Sequence, residues 1–112
     1  MFNNSNSPQI DVRDVYKKIQ AGEKDFVLLD VRTPQEYSGQ KIASSINLPV
    51  DQVSEEVEKV IPDKDKTVYV YCLSGSRSIE AVAIMKDLGY KNAYDMISGL
   101  MAWRVYKLPL QN

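Results

Sequence analysis

The chain has 112 residues, a formal net charge of -1, one cysteine and no histidine. That length fits one domain with a modest core, and the near-neutral charge removes any bulk electrostatic case for nucleic acid or an anionic membrane. A single thiol excludes an internal disulfide. Without histidine, neither Ser-His-Asp nor Cys-His catalysis can be built, nor the usual His/Cys zinc sites.

The chain opens on MFNNSNSPQ, which has neither a basic region nor an apolar stretch. A secretory leader is therefore not expected, and cytoplasm is the expected location. Residues 1–8 read as a flexible polar arm and residues 9–112 as the domain. Asp11 then reads as a helix cap, with Asp14 at the third helical position. Val12, Val15, Tyr16 and Ile19 fall on one face, and Gly22 stops the helix. FVLLDV, Phe26 to Val31, is a continuous apolar run suited to a strand covered on both faces. Thr33 caps a short helix with Pro34 in its first turn. Ser45 to Leu48 reads as a short strand closed by Pro49.

Val53, Val57, Val60 and Ile61 mark a second amphipathic helix, stopped by Pro62. Thr67 to Tyr71 is a strand rich in β-branched and aromatic residues. Ser78 to Leu88 reads as a helix, with Gly89 as its C-terminal signal. Ala93 to Met96 completes the strands, and Leu100 to Tyr106 is a last short helix. Strands alternating with helices predict an α/β fold around a mainly parallel sheet. No apolar run approaches a membrane span. In such sheets ligands gather beyond the carboxyl ends of strands, which singles out two loops: one beginning at Arg32, the other at Cys72.

The second loop carries the chemistry. Leu73, Ser74, Gly75, Ser76 and Arg77 follow Cys72 and lead into a helix. Gly75 permits positive φ. Small residues let successive backbone N–H groups turn inward as an anion-binding nest, and the helix adds its positive end. A thiol at the base of that cup is expected to be held as thiolate, the nucleophilic form. Arg77 at the rim offers a planar fork for an oxyanion. A lone cysteine after a strand is commonly only a small buried apolar residue; here the Ser-Gly-Ser-Arg-Ser context, including Ser78, turns the reading toward a nucleophile.

CLSGSRS resembles the active-site loop of rhodanese-like sulfurtransferases, Cys-x-x-Gly-x-Arg followed by Ser or Ala. LLDVRTPQEYSGQKIASSINLP, Leu28 to Pro49, and LGYKNAYDMISGLMAWRVYKLP, Leu88 to Pro109, resemble two further segments of that family, the latter including a Gly-x-x-Ala-Trp signature at Gly99 to Trp103. The resemblance implies a three-layer fold with a five-stranded, mostly parallel sheet flanked by helices. It implies that Cys72 cycles between thiol and persulfide, taking sulfur from thiosulfate or another donor and passing it to cyanide, a thiol or a protein. It implies no metal and no organic cofactor. Substrate contacts fall to Arg77 and the loop residues Leu73, Ser74, Gly75, Ser76 and Ser78. Arg32 is divided evenly between structural support and substrate contact, whereas Asp30, Glu36 and Asn47 read as structural and Tyr37 and Trp103 as packing residues.

Four residues separate Cys72 from Arg77. The related phosphatases and arsenate reductases have five, so an oxyanion-handling reading is the weaker alternative. A protein-to-protein sulfur carrier and a non-catalytic interaction module are the others. Departures from the family pattern are Gln40-Lys41 before Ile42, Ser44-Ser45 for Gly-Ala, and Ser98-Gly99 for Gly-Gly. The lost glycines predict local backbone adjustment. Leu73, where some thiosulfate-preferring members carry a basic residue, argues against strong thiosulfate preference. Lys41 is either an anion-attracting charge or a solvated surface lysine.

Overall fold

A computed structural model describes residues 8–112. Residues 1–7 of the arm lie outside the described residues. Pro8, read as its last residue, already accepts a hydrogen bond from the Asp95 amide (2.9 Å).

Among the described residues eleven short elements alternate, counting one 3-10 turn. They run β1 (Gln9–Ile10), α1 (Val12–Gln20), β2 (Phe26–Asp30), α2 (Pro34–Gly39), β3 (Ile46–Asn47), the 3-10 turn Val50–Gln52, α3 (Val53–Val60), β4 (Thr67–Tyr71), α4 (Ser76–Asp87), β5 (Ala93–Met96) and α5 (Gly99–Val105). The strands form one sheet in the order β1-β5-β4-β2-β3, and every strand pairing is parallel. The α/β reading of the sequence is the observed architecture. The expectation missed β1, whose two residues are too few to show a period and pair with β5 in register Gln9 to Asp95.

Parallel strands alternate their side chains between two covered faces, and this decides where everything else points. On one face Leu29 and Val31 from β2 and its end, Val68, Val70 and Cys72 from β4 and its end, and Ala93 from β5 pack against α3 and α4 through Val53, Val57, Ala81, Val82 and Met85. On the other, Leu28, Tyr69, Tyr71 and Met96 pack against α1 and α5 through Val12, Val15, Leu100 and Trp103. Helices thus cover both faces of the sheet, and β4 lies at its centre.

Local signals act as read at the helix starts. Asp11 Oδ1 accepts from the Arg13 amide (2.8 Å). Thr33 Oγ1 accepts from the Glu36 amide (3.2 Å) while Glu36 Oε1 accepts from the Thr33 amide (3.0 Å), a reciprocal capping box. Of the departures from the family pattern, Gln40 is extended, with φ at -162°. Ser44 (φ 69°) and Ser98 (φ 60°) themselves adopt the left-handed conformation that glycine favours, at roughly 1–2 kcal/mol each.

Candidate active site

The cup forms where β4 ends. Cys72 is fully buried, at 0% exposure. Its Sγ accepts from the Gly75 amide (3.1 Å) and lies 3.5 Å from Ser78 Oγ. Gly75 holds φ at 121°, in the region that disfavours side chains, and serves as N-cap of α4 with no side-chain cap. The helix begins at Ser76, two residues before the Ser78 start expected from sequence. The amides of its first turn therefore have no acceptor within the helix. They follow the Gly75 amide that reaches the sulfur, and a free helix start of this kind can hold an anion.

Four of the predicted loop residues take different places. Ser74 and Ser76 are exposed at the lip, and Leu73 is half-buried against the α1/α5 side. Ser78 is fully buried beneath the sulfur and reaches Gly75 O (3.1 Å) and Asp95 Oδ1 (2.5 Å). The loop is pinned from its far side by α5: the Leu100 amide donates to Cys72 O (3.0 Å) and the Met101 amide to Leu73 O (2.9 Å). Gly99 permits that approach, because a Cβ there would overlap the Cys72 carbonyl. The Gly99 to Trp103 signature is thereby explained physically. Its glycine seats the helix against the Cys72 backbone, and its tryptophan, 1% exposed, anchors the helix by donating to Pro109 O (2.9 Å).

Arg77 sits on the first turn of α4, about a third exposed, and is not free. Its guanidinium donates to Glu36 Oε1 (2.7 Å) and Oε2 (3.2 Å). The pair draws the Glu36 carboxyl from 4.5 down to about 2, with the Thr33 bonds adding to the effect. Glu36, read as structural, thus reaches the rim of the cup and neutralises its arginine. Two bonds still leave Arg77 further N–H groups for a substrate.

Arg32, read as either structural support or substrate contact, is placed away from the cup, and its contacts favour the structural reading. It is 3% exposed. It donates to Asp30 (2.7–3.1 Å) and to Gln40 O (2.6 Å), and its guanidinium carbon lies 5.9 Å from the Tyr71 ring centroid, on the α1/α5 face. Cys72 packs on the other face. Asn47 ties the same strand end by donating to Asp30 O (3.1 Å) and Arg32 O (3.0 Å). Lys41 Nζ rests 4.8 Å from the Tyr37 ring centroid, a surface contact. The sequence reading passed over Asp95. Its one signal was a carboxylate between Tyr94 and Met96 in an apolar strand, on the parity that faces the helices.

The site as built is a buried thiol under backbone N–H groups, with an arginine at the rim. The family model described as Rhodanese-like domain matches residues 10–105 of this chain. A sulfurtransferase of Allochromatium vinosum is 30% identical over 102 residues, covering 91% of this chain and 92% of that protein. The thiosulfate sulfurtransferase PspE of Escherichia coli is 39% identical over 62 residues, 55% of this chain and 60% of that one. The crystal structure of a rhodanese-related protein from Thermoplasma volcanium superposes with a TM-score of 0.81 at 33% identity, covering 93% of this chain and 97% of that chain. By these matches over most of its length, the chain belongs to the rhodanese-like family.

Proposed function

We propose that the protein is a sulfurtransferase that carries sulfane sulfur as a persulfide on Cys72. The observation that carries the reading is the buried Sγ held by the Gly75 amide at the mouth of an uncapped helix. A thiolate there attacks the outer sulfur of a donor such as thiosulfate. A new S–S bond forms to Cys72, the donor's S–S bond breaks, and sulfite leaves with the bonding electrons. The chain then holds Cys–S–S⁻, whose terminal sulfur is anionic and can be held by the same amides. An acceptor such as cyanide or a thiol attacks that sulfur and releases the Cys72 thiolate. The thiosulfate named for the E. coli relative supports this donor class.

A second reading is favoured by the rim. Exposed Ile97 (43%) and Met101 (53%) belong to the segment that touches the loop, through Ser98 near Gly75 and the Met101 amide on Leu73 O, and the arginine of the cup is neutralised by Glu36. An apolar, weakly charged mouth suits transfer to or from a protein surface better than capture of a small dianion.

Thiocyanate production from thiosulfate and cyanide tests the first reading. Cys72→Ser is expected to abolish it while leaving the unfolding midpoint unchanged. Retention of activity in that variant contradicts the reading. Slow turnover with thiosulfate beside fast transfer from a protein persulfide selects the second.

A further inference from the structure

Two carboxylates are buried among the described residues, Asp30 and Asp95. Asp30 faces Arg32. Asp95 faces no cation among the described residues. Its Oδ2 accepts from Gln9 Nε2 (3.2 Å) on β1, its Oδ1 meets the Ser78 hydroxyl (2.5 Å) on α4, and sulfur transfer as described above gives it no task. An unpaired buried carboxylate is costly, and it persists when it is hydrogen-bonded, protonated or both.

The protons around Ser78 Oγ show what this one does. Three atoms contact that oxygen: Gly75 O at 3.1 Å, Asp95 Oδ1 at 2.5 Å and Cys72 Sγ at 3.5 Å. Gly75 O can only accept. The hydroxyl owns one proton. Were Asp95 ionised and Cys72 a thiolate together, two of the three contacts would set lone pairs against lone pairs. The cluster therefore needs at least one further proton, and only Cys72 and Asp95 can supply it. Strand parity produces this meeting, since Cys72 beyond β4 and Asp95 on β5 both face the α3/α4 layer, and Ser78 reaches down from α4 between them.

We propose that Cys72 and Asp95 share one proton through the Ser78 hydroxyl, so that the thiol ionises by internal transfer to a buried carboxyl. The Cys72 S–H bond breaks as Ser78 Oγ takes that proton, and the former Ser78 O–H proton bonds to Asp95 Oδ1. Thiol and carboxylate become thiolate and carboxylic acid. The charge of the cluster is unchanged, so nucleophile formation adds no buried charge. In a chain without histidine, this supplies the proton acceptor the thiol otherwise lacks. Ser78 touches the reacting sulfur; Asp95 acts through it and is a positioning residue. Burial holds the Asp95 carboxyl above its ordinary value, consistent with a site that keeps a proton. The charged groups facing the cluster are Arg77 of α4, which lies near the Cys72 sulfur, and Glu36 of α2 paired with it. From β1 only the neutral Gln9 reaches Asp95. The inference rests on Cys72 being the nucleophile, as proposed above.

A shared proton has a recognisable titration. Between the loss of the first and second protons the thiolate fraction does not change with pH, because the pair then exchanges one proton internally. The experiment is the rate of Cys72 alkylation by iodoacetamide, an uncharged probe, from about pH 4 to about pH 10. The wild type is expected to rise, hold a plateau, and rise again. Asp95→Asn is expected to rise once, and to exceed the wild-type plateau by about twofold or more, twofold being the factor for equal sharing. A single rise in the wild type that Asp95→Asn reproduces overturns the inference. Should Asp95→Asn fail to fold, the Asp95 carboxyl ¹³C shift of the wild type decides. Two titration steps are expected with free Cys72 and one after alkylation; one step in both overturns it. Intact mass after thiosulfate separates the two claims. A persulfide with a one-step alkylation profile removes only the proton sharing. A two-step profile without sulfur uptake from any donor removes only the sulfur-transfer reading.

Discussion

The ends of β2 and β4 look alike in sequence and do opposite work. Each strand closes on a residue that precedes an arginine-bearing loop at the carboxyl edge of the sheet. At β2 the arginine folds back onto the α1/α5 face, where Asp30 and Gln40 O hold it at 3% exposure. At β4 the chain turns toward the α4 face, and its arginine is placed at the rim by the first helical turn, about a third exposed and paired to Glu36. Strand parity sends Arg32 to the buried α1/α5 face, whereas the first turn of α4 sets Arg77 at the partly exposed rim. Arg32 is part of the scaffold and Arg77 is part of the mouth.

The sharpest break of that contrast is at Arg32. Arg32→Ala leaves Asp30 buried and uncompensated, and a loss of about 3–5 kcal/mol of stability is expected in chemical denaturation. The fraction that remains folded should turn over at the wild-type rate. A stable Arg32→Ala protein with depressed turnover would return Arg32 to the substrate site.

Arg77→Ala is expected to do the reverse. Loss of a pair about a third exposed costs about 1 kcal/mol or less in stability. The kcat/KM for thiosulfate should fall about 10- to 100-fold, the effect of removing one charge-assisted contact to the reacting anion. Equal kcat/KM in both proteins would leave Arg77 as a surface residue.

Glu36→Gln refines the picture further. Glutamine keeps the capping box and removes the charge that neutralises Arg77. The kcat/KM for the thiosulfate dianion is expected to rise roughly three- to tenfold at low salt, and the gain should shrink as ionic strength increases. An unchanged kcat/KM would mean that the arginine is not read by the donor.

The smallest effect is in acid. The Glu36 carboxyl is held at about 2 against an ordinary 4.5. A depressed carboxyl contributes stability that is complete above its unfolded value and is lost as pH falls toward the folded one. Acid unfolding should therefore show a Glu36-dependent component between about pH 4.5 and about pH 2, of no more than about 1 kcal/mol because the pair is partly solvated. That component should be absent in Glu36→Gln.

The sequence carried the architecture well where elements are long or strongly biased. Thr67–Tyr71 and Ala93–Met96 have the bounds read from their β-branched and aromatic residues, and Thr33-Pro34 caps its helix as expected. The cup was readable because nucleophile, glycine and arginine lie within one loop. What escaped depended on contacts between distant segments. β1 exists by pairing with β5. The Glu36 carboxyl meets Arg77 across 41 positions of chain, and Ser78 meets Asp95 across 17. The left-handed conformation of the serines at 44 and 98 also escaped, since neither residue type announces positive φ. The early start of α4 also escaped, since Ser76 and Arg77 have no apolar period to announce a helix.

The most direct measurement is the intact mass of the protein after brief incubation with thiosulfate and desalting, with Cys72→Ser treated alongside. The expected result is a gain of one sulfur atom in the wild type, removed by cyanide and absent from the variant. A wild type that gains no sulfur from thiosulfate or from a protein persulfide would contradict a Cys72-bound persulfide.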